Sequence, residues 1–233
     1  MTKKIILACM ALAAFAALAI PATASATNKG QLTENNMPLA PGVKIQATNV
    51  GETKLFETGG STAVLSCTTS TITGTLIKNT DGIEVTIETA KFGGTGQTIA
   101  GEPEPECTGL FNAGVTPLGL HWCLRSTTTM ATDEFRVGSG ACPNTNKIKF
   151  LLQRTKATGG IEECEYESTE SIKGTGTTGT DIIHVGRTPH NTNGFTRIKG
   201  VFPCPASSEI EMTYTIETES PGGPVTISEQ LVE

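Results

Sequence analysis

Aromatic residues are scarce in this 233-residue chain: one Trp, two Tyr and eight Phe, 5% of the total. Histidine is scarcer still, with three. So few histidines leave few side chains that titrate near neutral pH, which narrows the room for general acid–base chemistry. Motifs of common enzymes are missing too. There is no Gly-x-Ser-x-Gly elbow; Gly138-Ser-Gly140 comes nearest and lacks both the spacing and a following helix. No phosphate-cradling Gly-Lys-Ser/Thr loop occurs, nor a dinucleotide fingerprint opening a helix. No close Cys-x-x-Cys pair suggests zinc. These absences favour a non-enzymatic role and imply no cofactor.

What is present begins with a targeting segment. Lys3 and Lys4 precede an apolar run from Ile5 to Ile20, then Pro21 and the small-residue site Ala24-Ser25-Ala26. That order predicts a signal peptide over residues 1–26, cleaved after Ala26. The run of ~16 residues falls short of the ~20 that span a bilayer as a helix, and nothing later is apolar enough to cross one. Cys9 after Ile6-Leu7-Ala8 superficially resembles a lipoprotein site, but the apolar run continues past it. The expected location is therefore secreted, extracellular or at the cell surface. Without residues 1–26 the chain keeps fifteen Lys and Arg against twenty-three Asp and Glu. Such an acidic chain with scattered cations is a poor partner for nucleic acid or anionic lipid, both of which attract basic patches.

Six cysteines remain after cleavage: Cys67, Cys107, Cys123, Cys142, Cys164 and Cys204. An even number in an exported chain implies disulfides. Six allow 15 pairings. Spacing favours Cys67–Cys107, Cys123–Cys142 and Cys164–Cys204, since two of these pairs are 40 residues apart with the third between them.

The body reads as strands. Threonine occurs 39 times and glycine 26 times, the composition of a β protein with many turns. In Glu209–Glu217, Ile210, Met212, Tyr214 and Ile216 alternate with Glu and Thr, the pattern of an antiparallel strand covering a core on one side. Ile83, Val85 and Ile87 repeat it, and Val43, Ile45 and Ala47 begin it again. Further strands are expected at 62–67, 71–78, 147–153, 162–167, 182–185, 196–202 and 225–228. The run 147–152 loses alternation at its end, which suggests burial on both faces. Turn signals such as Asn79-Thr-Asp-Gly82 and Pro221-Gly-Gly-Pro224 separate the strands. The expected fold is all-β: an antiparallel β-sandwich over residues 43–233, disulfide-stapled, after a flexible polar tail at 27–42. Two related units are possible, over residues 43–155 and 160–233. The echo that suggests them is Cys67…Ile72-Thr-Gly-Thr75 against Cys164…Ile172-Lys-Gly-Thr175.

The order Cys67, Thr73-Gly74-Thr75, Phe92, Cys107, Trp122, Leu124, Cys164-x-Tyr166, Gly174-Thr175, Cys204-Pro205 and Thr213-Tyr214-Thr215 resembles uncharacterised secreted bacterial β-rich, disulfide-containing proteins. The resemblance covers most of the mature chain through loose motifs. It implies export, disulfides and an all-β domain, and brings no known activity or catalytic residue.

Four groups of residues invite chemistry. Leu120-His-Trp-Cys-Leu-Arg125 places His121 beside Trp122 and Cys123. Cysteine pairing reads Cys123 as half a disulfide rather than a nucleophile, and a Trp beside a disulfide is a familiar core device. Asp181, His184 and His190 are weak metal-ligand candidates, a carboxylate with two imidazoles in no established spacing. Glu102, Glu104 and Glu106, or Glu162, Glu163 and Glu165, would supply the carboxylates of a secreted hydrolase. Trp122 would be the platform of a carbohydrate-binding module. The favoured reading is a secreted non-enzymatic protein with a binding or structural role in the envelope or medium, its ligand or partner unknown.

Overall fold

Alternation and β-branched residues build almost every element of the chain. The structure is a computed structural model that describes residues 29–93, 98–99, 102–103, 107–109, 113–126, 133–142, 147–156, 158–187, 194–201, 203–219 and 222–230. The signal segment with Ala26, together with Glu104, Glu106 and His190, lies outside them. Every regular element among the described residues is a strand. In chain order these are β1 (Lys29–Glu34), β2 (Met37–Pro38), β3 (Lys44–Asn49), β4 (Thr53–Glu57), β5 (Ala63–Cys67), β6 (Ser70–Lys78) and β7 (Glu84–Phe92). The short pieces β8 (Thr98–Ile99), β9 (Glu102–Pro103) and β10 (Thr108–Gly109) follow. Next come β11 (Gly114–Leu118), β12 (Trp122–Ser126), β13 (Asp133–Gly138), β14 (Lys149–Thr155) and β15 (Ile161–Ser168). The last are β16 (Ile172–Gly176), β17 (Ile182–Gly186), β18 (Phe195–Lys199), β19 (Ser207–Thr218) and β20 (Thr226–Gln230).

All pairings are antiparallel, and the large sheet is sandwich-like. One ladder path returns to its start through eight strands: β3, β6, β7, β12, β13, β16, β17, β19 and back to β3. A second run, β11–β14–β15–β18, also joins β7 to β19. The inner faces of both runs share one apolar core, with Trp122, Val137 and Ile172 from the first and Phe150, Leu152 and Phe195 from the second. Phe150 stacks on Tyr166 at 5.1 Å and meets Phe195 edge-on at 4.8 Å. Closure leaves few unpaired strand edges, the feature that makes β proteins prone to pairing with other chains.

The pairing scheme occurs twice. Ladders β3–β6, β6–β7, β4–β5 and β7–β12 in residues 44–126 correspond to β13–β16, β16–β17, β14–β15 and β17–β19 in residues 133–218. Registers agree as well. Ile45 opposite Gly74 and Ala47 opposite Ile72 match Phe135 opposite Gly174 and Val137 opposite Ile172. Ile87 opposite Trp122 matches Val185 opposite Met212. The Cys-to-Gly-Thr echo thus falls at equivalent places in two units. The repeat divides between β12 and β13, earlier than the 155–160 boundary drawn from the echo, because β13 and β14 take in the second copy the places that β3 and β4 hold in the first. At Gly174 a side chain would run into the Phe135 ring, and at Gly74 into the backbone of Thr86.

The cysteines are bonded as Cys67–Cys107, Cys123–Cys142 and Cys164–Cys204, the partition favoured by the spacing. Loops closed by 19 and 40 residues constrain the unfolded chain by about 3–4 kcal/mol each in the chain-entropy view.

One expectation is overturned. The supposed flexible tail at 27–42 contains β1 and β2, and β1 pairs with β20 to make a three-stranded sheet. Leu32 is 2% exposed and Leu39 9%. The buried Asn79 side chain holds both, accepting from Leu32 N at 2.8 Å and donating to the carbonyls of Leu32 (2.8 Å) and Leu39 (2.9 Å). The partner strand lies some two hundred residues away, so local composition carried no trace of it. A smaller correction concerns β14. Alternation persists through it: Phe150 and Leu152 are buried while Leu151 is only partly so.

Candidate functional site

The opening of β12 is scaffold. Trp122 is 4% exposed and Cys123 0%. Trp122 faces the shared core and donates from Nε1 to Leu118 O at 3.3 Å. Cys123 is bonded to Cys142, so no thiol is available there. His121 precedes the strand with φ of +72°, a left-handed conformation uncommon for a residue with a side chain. Tyr166 and Tyr214 are both 0% exposed. Every Trp and Tyr ring of the chain is thus buried, so Trp122 is not the exposed platform expected of a carbohydrate-binding module.

Of the three metal candidates, Asp181 and His184 are among the described residues. His184 points outward from β17 and its Nδ1 meets Thr213 Oγ1 at 2.9 Å. Asp181 precedes the strand, its carbonyl accepting from Ile216 N. Among the described residues no three His, Cys, Asp or Glu side chains gather as a metal site.

Three of the β15 carboxylates lie on its outer face, and Glu162, Glu163 and Glu167 are paired with cations. Cys164, Tyr166 and Ser168 alternate inward, leaving Glu163, Glu165 and Glu167 outside. Glu162 meets Arg154 at 2.6 Å, and Glu163 accepts from Lys199 at 2.8 Å and Gln153 at 2.9 Å. Those two donors hold the Glu163 carboxyl below its ordinary range. A general acid needs the opposite, a carboxyl raised toward neutrality. This disposes of Glu163 in that role, and Glu162 is tied up by its arginine.

Two spaces remain. The first is an interior cavity of about 110 Å³ among apolar side chains of both runs, including Ala47, Trp122, Leu152 and Met212. Small-molecule sites usually occupy ~300–1,000 Å³, so this is a packing void. At its wall Thr53, Ser70 and Tyr214 form a buried hydroxyl chain, with 2.8 Å between Thr53 Oγ1 and Ser70 Oγ and again between Ser70 Oγ and Tyr214 Oη. Burial raises the Tyr214 phenol above its ordinary pKa, against the pull of Ser70 and Thr53.

The second space is a surface groove of about 680 Å³, lined by Arg136, Ser139, Lys147, Lys149, Glu167, Glu170 and Ser171. It adjoins a recess of about 430 Å³ beside Leu118–His121 that shares Ser139, Lys147 and Lys149. Strand β13 supplies Arg136, β14 supplies Lys149 and β15 supplies Glu167. The segment 139–142 between β13 and β14 is tied to β12 through Cys142. Glu167 accepts from Lys147 and from Lys149, each at 2.8 Å. These contacts lower the Glu167 pKa and raise that of Lys149. Arg136 Nε is buried with no hydrogen-bond acceptor. The groove is polar, of ligand size, and framed by cations. Its residues escaped sequence reading because they come from four separate segments with no local motif; only strand register brings them together.

No protein-family model matches the chain, and no curated protein or solved structure matches it significantly.

Proposed function

We propose that the chain is an exported binding scaffold of the cell surface or surrounding medium, holding a partner on its outer face without covalent chemistry. The observation that carries this reading is the division of labour in the fold. The rings and buried hydroxyls are inside, while the polar groove lies outside on strands braced by Cys123–Cys142. Rigid, pre-formed polar surfaces bind with little ordering cost. Ladder closure leaves the outer faces and loops, rather than free strand edges, as the surfaces on offer. The hydrolase alternative loses support from the ion-paired Glu162 and Glu163.

Fractionating cells that express the full chain tests this reading. The expected result is a mature chain beginning at Thr27, outside the cytoplasm, whose six cysteines accept an alkylating reagent only after reduction. Incubated with washed envelope material, it should be retained without consuming it. A reduced chain in the cytoplasm, or hydrolysis of a chromogenic ester or glycoside abolished by Glu163→Gln, would overturn the reading.

A further inference from the structure

Three cations stand side by side on the outside of the molecule. Arg136 on β13 is directly opposite Arg125 on β12 and, across its other edge, directly opposite Lys173 on β16. Directly opposed residues on neighbouring strands have Cβ atoms about 5 Å apart, and like charges placed so oppose each other. Glu84 lies opposite Arg125, and Glu134 precedes Arg136 by two positions on the same face. Neither is opposite Arg136. The groove adds Lys147 and Lys149 on one side, with Glu167 between them and Glu170 at the rim. Five cations thus surround one face with four carboxylates, in a chain whose net charge is −6.

We infer that this row and the adjoining groove bind an oxyanion, a carboxylate, sulfate or phosphate group, with the Arg136 guanidinium as its anchor. Arg136 Nε is the buried donor without an acceptor, and a guanidinium presents a planar fork suited to two oxygens of such a group. Lys147 and Lys149 stand within the same groove and share Glu167, so an arriving anion would compete with that carboxylate for them. The inference rests on the reading of the chain as a binding scaffold for the source of its ligand. The oxyanion is either a free inorganic ion or one group of an acidic polymer outside the cell.

The experiment measures the melting temperature of the oxidised mature protein against sodium sulfate, with sodium chloride at matched ionic strength as the control, and then against a polyuronate. Sulfate is expected to raise the melting temperature beyond chloride. In Arg136→Met that increment disappears. Arg136→Lys keeps the charge without the fork and binds sulfate about tenfold more weakly, the effect of losing one charged hydrogen bond. Polyuronate binding far tighter than sulfate identifies a polymer; equal response per charged group identifies the free ion. An unchanged sulfate increment in Arg136→Met, or no increment over chloride in the parent, overturns the inference. None of these outcomes bears on whether the chain is exported and oxidised, so a failed oxyanion site is distinguishable from a failed scaffold.

Discussion

Tyr166 shows how one residue couples burial to pH. Its ring is fully buried and stacked on Phe150, and its hydroxyl donates to Pro205 O at 3.0 Å. Burial pushes the phenol up to about 12 from an ordinary 10.0. A raised pKa in the folded state means that the native protein holds the proton where the unfolded chain releases it. Stability is therefore complete below pH 10 and declines as pH rises toward 12. Tyr214 shifts stability in the same direction, its phenol also raised by burial. Absorbance at the phenolate wavelength should stay flat until the far-ultraviolet signal of the sheet is lost, and a smooth titration near pH 10 in the intact fold would contradict the burial. Gly174 makes a second prediction at this scale. A methyl group there meets the Phe135 ring, so Gly174→Ala should destabilise by about 1–3 kcal/mol, the usual cost of overpacking. Denaturant unfolding reads it, and paired replacement with Phe135→Leu should recover part of the loss.

Among the elements, β1 depends most on a distant partner. It is held by β20 and by one amide, Asn79, which makes three hydrogen bonds to Leu32 and Leu39 from a 2%-exposed position. Asn79→Ala strands the Leu39 carbonyl and the Leu32 N–H, while Leu32 O keeps its bond from Leu39 N. The expected loss is about 2–4 kcal/mol, with amide exchange fastest in residues 29–39 and little changed in β13–β16. Uniformly faster exchange would mean that Asn79 supports the whole core instead. The elements also show what a sequence makes legible. Strands such as β7 and β19 were plain because their alternation is long and clean: Val85 and Ile87 in one, Met212, Tyr214 and Ile216 in the other. Missing from the sequence reading were β1, β2, β4, β16 and the run from β8 to β13: β8, β9 and β10 are two-residue pieces, Pro117 sits in β11, Gly174 and Gly176 sit in β16, and adjacent buried residues break the alternation in β4 (Leu55 and Phe56) and β12 (Trp122 and Cys123). Cys123 is covered on the outer side through its bond to Cys142, so both faces of that strand's opening are buried and alternation disappears. The groove was invisible for a different reason: Arg125, Arg136 and Lys173 become neighbours only through strand register.

At the scale of the whole molecule, two copies of one strand pattern share ladders at both junctions, β12–β13 and β19–β3. Neither copy has a core of its own, since the buried side chains of both form one cluster. The halves should therefore melt together. Trp122 emission reports the first half; tyrosine near-ultraviolet circular dichroism at Tyr166 and Tyr214 reports the second. The two signals are expected to give coincident transitions, and separated midpoints would show independent units.

The first described strand lies against the last, and β3 also waits for β19. A chain emerging from its amino end holds β1 with only the two-residue β2 beside it, and β3 with only β6, until nearly every other residue has appeared. The circle of strands then shuts in one late act, so an emerging chain can still be threaded through a narrow passage up to that moment.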